Sequence, residues 1–180
     1  MVNACYTHVT IQVDDVDESA DFYGEVFDME RIETPDFEIT VQWLACGDLQ
    51  LHLVETDAEP PEFNHHALHV DDFETVYERL LAYDGIEFEA LGDPEEEFGD
   101  AEDETVDGAP PVYRMPNGSL QTYFRDPSGN LVEVDHHDAD AIDESIVTNL
   151  RERIDVTPRP EGVPEPALYG EAFRARVGLD

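Results

Sequence analysis

The segment His8-Val9-Thr10-Ile11-Gln12-Val13-Asp14-Asp15 returns as His65-His66-Ala67-Leu68-His69-Val70-Asp71-Asp72, an offset of 57 positions. Self-similarity of this kind restricts a chain more than composition does, because both copies must adopt the same local structure. Each copy reads as an alternating strand running into a helix start. In the first, Val9, Ile11 and Val13 share one face while His8, Thr10 and Gln12 share the other, since side chains alternate across a strand. Asp15 with Glu18, and Asp71 with Glu74, have the spacing of a capping box.

Apolar stripes at helical spacing follow: Val16, Ala20, Tyr23 and Phe27 in the first copy, Phe73, Val76, Tyr77, Leu80 and Leu81 in the second. Gly85 is placed to take the left-handed backbone that closes the second helix. Strand-like runs come next. They are predicted over 30–34, 39–46 and 49–55 in the first half, and over 86–91, 120–125 and 131–135 in the second. The expected fold class is α+β: two paired βαβββ modules whose mixed sheet curls around a cleft, plus a C-terminal extension.

The first module is expected over residues 1–57 and the second over 58–137. Aligning their last strands sets His52 against Glu133, so the second module carries an acidic insertion, at about 92–117. Nine of the sixteen residues from Asp93 to Gly108 are acidic, the composition of a solvated loop. Residues 138–180 lie outside the repeat. A helix is predicted near 139–154, followed by a stretch with Pro158, Pro160, Pro164 and Pro166.

Forty-five Asp and Glu face nine Lys and Arg, a formal charge of −36, and all nine cations are Arg. Such a balance argues against nucleic acid and anionic membranes as partners, because phosphate recognition needs clustered cations. It fits a halophilic protein: at about 1 M salt the Debye length is roughly 3 Å, and repulsion among surface carboxylates is screened. Cys5 and Cys46 are too few for a disulfide framework. The N-terminal residues show neither a charged n-region nor an apolar h-region, and the expected location is cytoplasmic.

His8 and His65 occupy the same place in the two copies, and His52 and Glu133 the same place in the two last strands. Three imidazoles and one carboxylate placed by a repeat make a candidate first shell for one divalent metal (Fe, Mn, Ni, Co or Zn) with open positions. Glu55 has the opposite strand parity to His52. His66 falls on the Leu68 and Val70 face and reads as structural. His69 shares the His65 face and is a candidate for proton transfer.

The run Tyr123-Phe124-Arg125-Asp126-Pro127-Ser128-Gly129-Asn130-Leu131-Val132-Glu133 resembles the turn into the last metal-bearing strand of the vicinal oxygen chelate superfamily, which holds glyoxalases, bleomycin resistance proteins and extradiol dioxygenases. The resemblance covers about residues 5–137. It implies His8, His65 and Glu133 as metal ligands, with His52 at the fourth position that glyoxalase-like members use. Glu133, His69 and Tyr123 are the candidate catalytic residues, and a small oxygenated molecule chelated through two oxygens is the candidate substrate. Glyoxalase-like isomerase or lyase chemistry is favoured. The alternatives are Fe(II) extradiol-type ring cleavage and a binding protein that sequesters a small molecule or antibiotic. Modules are also exchanged between subunits in this superfamily, so a homodimer is an expected partner state.

Overall fold

The structure, a computed structural model, describes residues 6–90, 99–100, 108–153 and 175. The first module runs β1 (His8–Val13), α1 (Val16–Phe27), β2 (Arg31–Ile32), β3 (Val41–Cys46) and β4 (Leu49–Glu55). Asp15 caps α1, its Oδ1 accepting from the Asp17 and Glu18 amides at 2.8 and 2.9 Å. Asp28 ends the helix in the left-handed region at φ 55°. The four strands form one mixed sheet in the order β1-β4-β3-β2.

The second module repeats this plan with β5 (His65–His69), α2 (Phe73–Ala82), β6 (Glu87–Ala90), β9 (Leu120–Arg125) and β10 (Leu131–His136). Its sheet order is β5-β10-β9, with β6 antiparallel to β9, which is the first module's pattern. The α2 cap is Asp72 rather than the expected Asp71: Asp72 Oδ1 accepts from the Thr75 amide at 3.0 Å. Gly85 takes the expected left-handed backbone at φ 85°, but it does not close the helix, which ends at Ala82 with Tyr83 as an extended cap. Leu81, included in the apolar stripe, is 47% exposed, because Leu80 already fills that turn's place in the core.

The insertion is shorter at its C-terminal end than the predicted 117. Strand β8 (Val112–Arg114) pairs with β9, and Val112 and Tyr113 are buried, so this stretch belongs to the sheet. Strand β7 (Gly99–Asp100) pairs with β6, while most of the acidic run lies outside the described residues. The helix expected near 139–154 is replaced by a 3-10 turn at Ala139–Ala141 and by β11 (Leu150–Glu152), which joins β8 in parallel. Side chains compete for the backbone here. Asp143 Oδ1 accepts from the Ser145 amide at 2.9 Å, a local bond that favours turns over helix. The proline-rich stretch lies outside the described residues.

One hydrophobic core runs through both modules, built on Phe22, Tyr23 and Val26 of α1, Phe73, Tyr77 and Leu80 of α2, and Leu44, Leu53 and Phe124 of the sheets. Each fully buried side chain of this size contributes roughly 1.5–3 kcal/mol. Polar bonds tie the two modules together. Asn130 Nδ2 donates to Gln12 O at 2.9 Å, the Asp14 amide donates to Ser128 Oγ at 3.0 Å, and Tyr23 OH donates to Asp126 Oδ2 at 2.9 Å. The last strand residues of β1 therefore meet the turn that opens β10.

Candidate functional site

Strand register creates two matching pairs of side chains. In the parallel β1–β4 pair, His52 lies opposite Thr10, two residues beyond His8. In the parallel β5–β10 pair, Glu133 lies opposite Ala67, two residues beyond His65. The correspondence of His52 with Glu133 drawn from sequence offsets is thus reproduced by hydrogen-bonded register.

The second pair is in contact. His65 Nε2 is 3.2 Å from Glu133 Oε2. Around it, Gln121 Nε2 donates to Glu133 Oε1 at 2.6 Å and Tyr123 OH donates to Oε2 at 2.9 Å. Gln121, Tyr123 and Glu133 are all buried. Burial pushes the Glu133 carboxyl above its usual range, against the opposing pull of the Tyr123 hydrogen bond and of His65. Burial and the Glu133 charge together push the Tyr123 phenol far up, so it stays protonated as a donor.

The first pair is arranged differently. His8 and His52 stack at 4.3 Å between centroids with planes 11° apart, and His52 stacks on Trp43 at 4.3 Å and 5°. His52 Nε2 contacts Gln50 Oε1 at 2.8 Å, and Thr7 Oγ1 engages His8 Nδ1 at 2.9 Å. Burial and then the neighbouring His8 lower the His52 pKa. Two near-parallel rings at this spacing cannot aim their nitrogens at one ion, because an imidazole ligand holds its metal close to its own ring plane. His8, Trp43, Gln50 and His52 line an open hollow of about 750 Å³ together with Tyr6 and Asp48.

Within one chain the four expected ligands do not meet. Among the described residues, no three of His, Cys, Asp and Glu are grouped so as to hold a metal. His8 stacks on His52 and His65 faces Glu133, so the four residues fall into two separate pairs.

The profile of the Glyoxalase/Bleomycin resistance protein/Dioxygenase superfamily matches residues 6–134. The chain belongs to this superfamily. A search of curated proteins gave no match. A glyoxalase family protein from Bacillus anthracis is similar in fold: 22% identity, TM-score 0.53, covering 76% of this chain and 98% of that one. The fosfomycin resistance protein FosX from Listeria monocytogenes, in complex with Mn(II) and 1S,2S-dihydroxypropylphosphonic acid, is 18% identical with TM-score 0.53, covering 76% and 93%. Oxidase ChaP-H2 is 19% identical with TM-score 0.54, covering 77% and 99%.

His69 and the neighbouring strand residues of this superfamily member fall as follows. His69 lies further along β5, with Nδ1 2.7 Å from Asp135 Oδ1, and beside His136 and His137 rather than beside Glu133. Glu55 turns toward the helix layer, where Oε2 accepts from the Val16 amide at 3.4 Å. His66 faces the core next to Tyr23. Phe124 is core, while Trp43 is half-buried in the imidazole stack. Sequence reading missed Gln121 and Asp135. Strand parity was the available signal, since Gln121 shares a face with Tyr123, and Asp135 with Glu133.

Proposed function

We propose that this chain is a metal-dependent enzyme that acts on a small oxygenated substrate through two adjacent oxygens, with glyoxalase-like isomerase or lyase chemistry, and that two copies of the chain share each site. The observation that carries the reading is the repeated register, which sets His65 against Glu133 as it sets His8 against His52. The donor chemistry fits a divalent ion: one imidazole and one carboxylate oxygen lie 3.2 Å apart, a spacing two ligands of one ion can adopt. A third donor is needed, and His8 supplies it from a second copy.

Two features support sharing. Among the described residues, β1 and β5, which carry His8 and His65, are both end strands of their sheets, and an unpaired edge is a template for another strand. The His8, Thr10 and Gln12 face of β1 is exposed, whereas β10 is buried along its whole length.

In this reading His8, His65 and Glu133 would hold the metal, and His52 stays in its stack. A bound divalent metal supplies Lewis acidity that stabilises the oxyanion developing on a chelated substrate. Tyr123 and Gln121 orient Glu133. Burial raises the affinity of Glu133 for protons, and in this reading it is the candidate acid or base.

Mixed chains test both parts. His8→Ala and Glu133→Ala chains, each made alone, should neither bind Co(II) nor turn over substrate in hemithioacetal-isomerisation and oxygen-uptake screens. Co-expressed, they should regain binding in one of two clefts, which contains no substituted residue. A protein that sediments as a monomer with saturating Co(II), or mixed chains that regain nothing, would overturn the shared site.

A further inference from the structure

We propose that Gln121 is a positioning residue that fixes Glu133 as a one-oxygen donor, a role that rests on reading Glu133 as a ligand. Both oxygens of this buried carboxylate are engaged, and unequally. Oε1 receives the Gln121 amide at 2.6 Å, while Oε2 receives Tyr123 OH at 2.9 Å and faces His65 Nε2 at 3.2 Å.

The amide orientation of Gln121 is set by its neighbours. Turned over, its carbonyl would confront the carboxylate at 2.6 Å, so the N–H faces Glu133, and Gln121 Oε1 sits 3.2 Å from the Tyr123 hydroxyl. Tyr123 has one proton and gives it to the nearer, charged partner. Gln121 lies opposite Asp135 and Tyr123 opposite Glu133 across the β9–β10 ladder, so the backbone register sets both holders.

A carboxylate held on its far oxygen and laterally on its near one does not swing. Glu133 therefore keeps one geometry with or without an ion, and a mechanism in which it leaves the metal to carry a proton between carbons must first break the 2.6 Å Gln121 bond. Partners that orient ligands in this way are typically worth a tenfold to hundredfold change in metal affinity.

The test uses the full-length chain and Co(II) as probe. In metal-free protein the Gln121 side-chain amide proton should resonate downfield of other side-chain amides and return toward them in Glu133→Ala. Gln121→Met, near in volume but without the N–H, should weaken Co(II) binding roughly ten- to a hundredfold. Gln121→Asn, one methylene too short to reach, should do the same and serves if the Met variant does not fold. Unchanged Co(II) affinity in either folded variant, or an amide proton indifferent to Glu133→Ala, would overturn the proposal. If wild-type protein takes up no cobalt, the metal reading falls separately, and the amide signal alone decides whether Gln121 holds Glu133.

Discussion

Glu133 Oε2 lies 3.2 Å from His65 Nε2 in a place where burial works against the carboxylate's charge. An acid whose folded-state pKa is raised binds protons more readily when folded. It therefore lowers stability above that pKa, and the penalty fades as pH falls through it. Glu133→Gln should consequently raise the melting temperature of metal-free protein at pH 8, by a few degrees for each kcal/mol relieved. The gain should shrink on acidification. A lower melting temperature at pH 8 would mean that the carboxylate is stabilising, and the site would lose its signature of stability given up for function.

Tyr23 reaches from α1 to Asp126 at the turn into β10, and both groups are buried. The turn is closed by bonds from the Ser128 and Asn130 amides to Asp126 Oδ1 at 3.0 and 2.8 Å, and by Gly129 at φ 80°. Removing one hydrogen bond to a buried charged group costs about 1.5–3 kcal/mol. Tyr23→Phe should destabilise by this amount in chemical denaturation. Asp126→Ala removes the acceptor of four donor groups, Tyr23 OH, the Ser128 and Asn130 amides and Asn130 Nδ2, and should cost more. Because the turn sets where β10 begins, Asp126→Ala should also weaken Co(II) binding although it touches no ligand.

The βαβββ repeat, both long helices and the His52–Glu133 correspondence were legible because they depend on periodicity and offset, which are local properties of the chain. The His8–His52–Trp43 stack was not, since it requires knowing that β3 places Trp43 directly across from His52. The separation of the two ligand pairs was equally hidden. So was the tie between the modules through Asn130 and Gln12, a contact between side chain and backbone 118 positions apart that no sequence pattern announces. The predicted helix near 139–154 failed for a local reason, the Asp143 and Ser145 turn bonds, which the sequence did display.

The stack makes a separate prediction about His52. Its ring fills the space between His8 and Trp43 at 4.3 Å on each side. Phe has nearly the same flat shape, whereas Ala leaves a gap. His52→Phe should melt near the wild-type temperature and keep Co(II) affinity within about threefold, while His52→Ala should lose about 0.5–1.5 kcal/mol from each broken ring contact. If His52→Phe abolishes cobalt binding, His52 is a ligand and leaves the stack to serve as one.

His66 faces the core, with its Nε2 buried and its pKa lowered to about 4, chiefly by burial and secondarily by His65. A histidine with a depressed folded-state pKa stays neutral while its unfolded counterpart, near 6.5, takes a proton. Stability is therefore lost as pH falls from about 6.5 to about 4, with little further loss below. The interval corresponds to at most about 3 kcal/mol. His66→Leu should flatten this part of the stability–pH curve, read as the difference between wild type and variant by denaturant titration from pH 7.5 to 4. Parallel curves would show that the imidazole is protonated within the fold.

The charge of −36 carries the last prediction. Arg31, Arg79, Arg114 and Arg125 pair with carboxylates, but nine arginines in all cannot neutralise forty-five Asp and Glu. Surface ion pairs are worth about 0–1 kcal/mol each and cannot offset repulsion of this extent in dilute buffer. Raising salt to about 1 M shortens the Debye length to roughly 3 Å, less than the usual spacing of surface carboxylates. The melting temperature should therefore climb steeply between 50 mM and 1 M KCl and then level off. NaCl should match KCl if screening is the cause, and a melting temperature independent of salt would end the case for a protein built for brine.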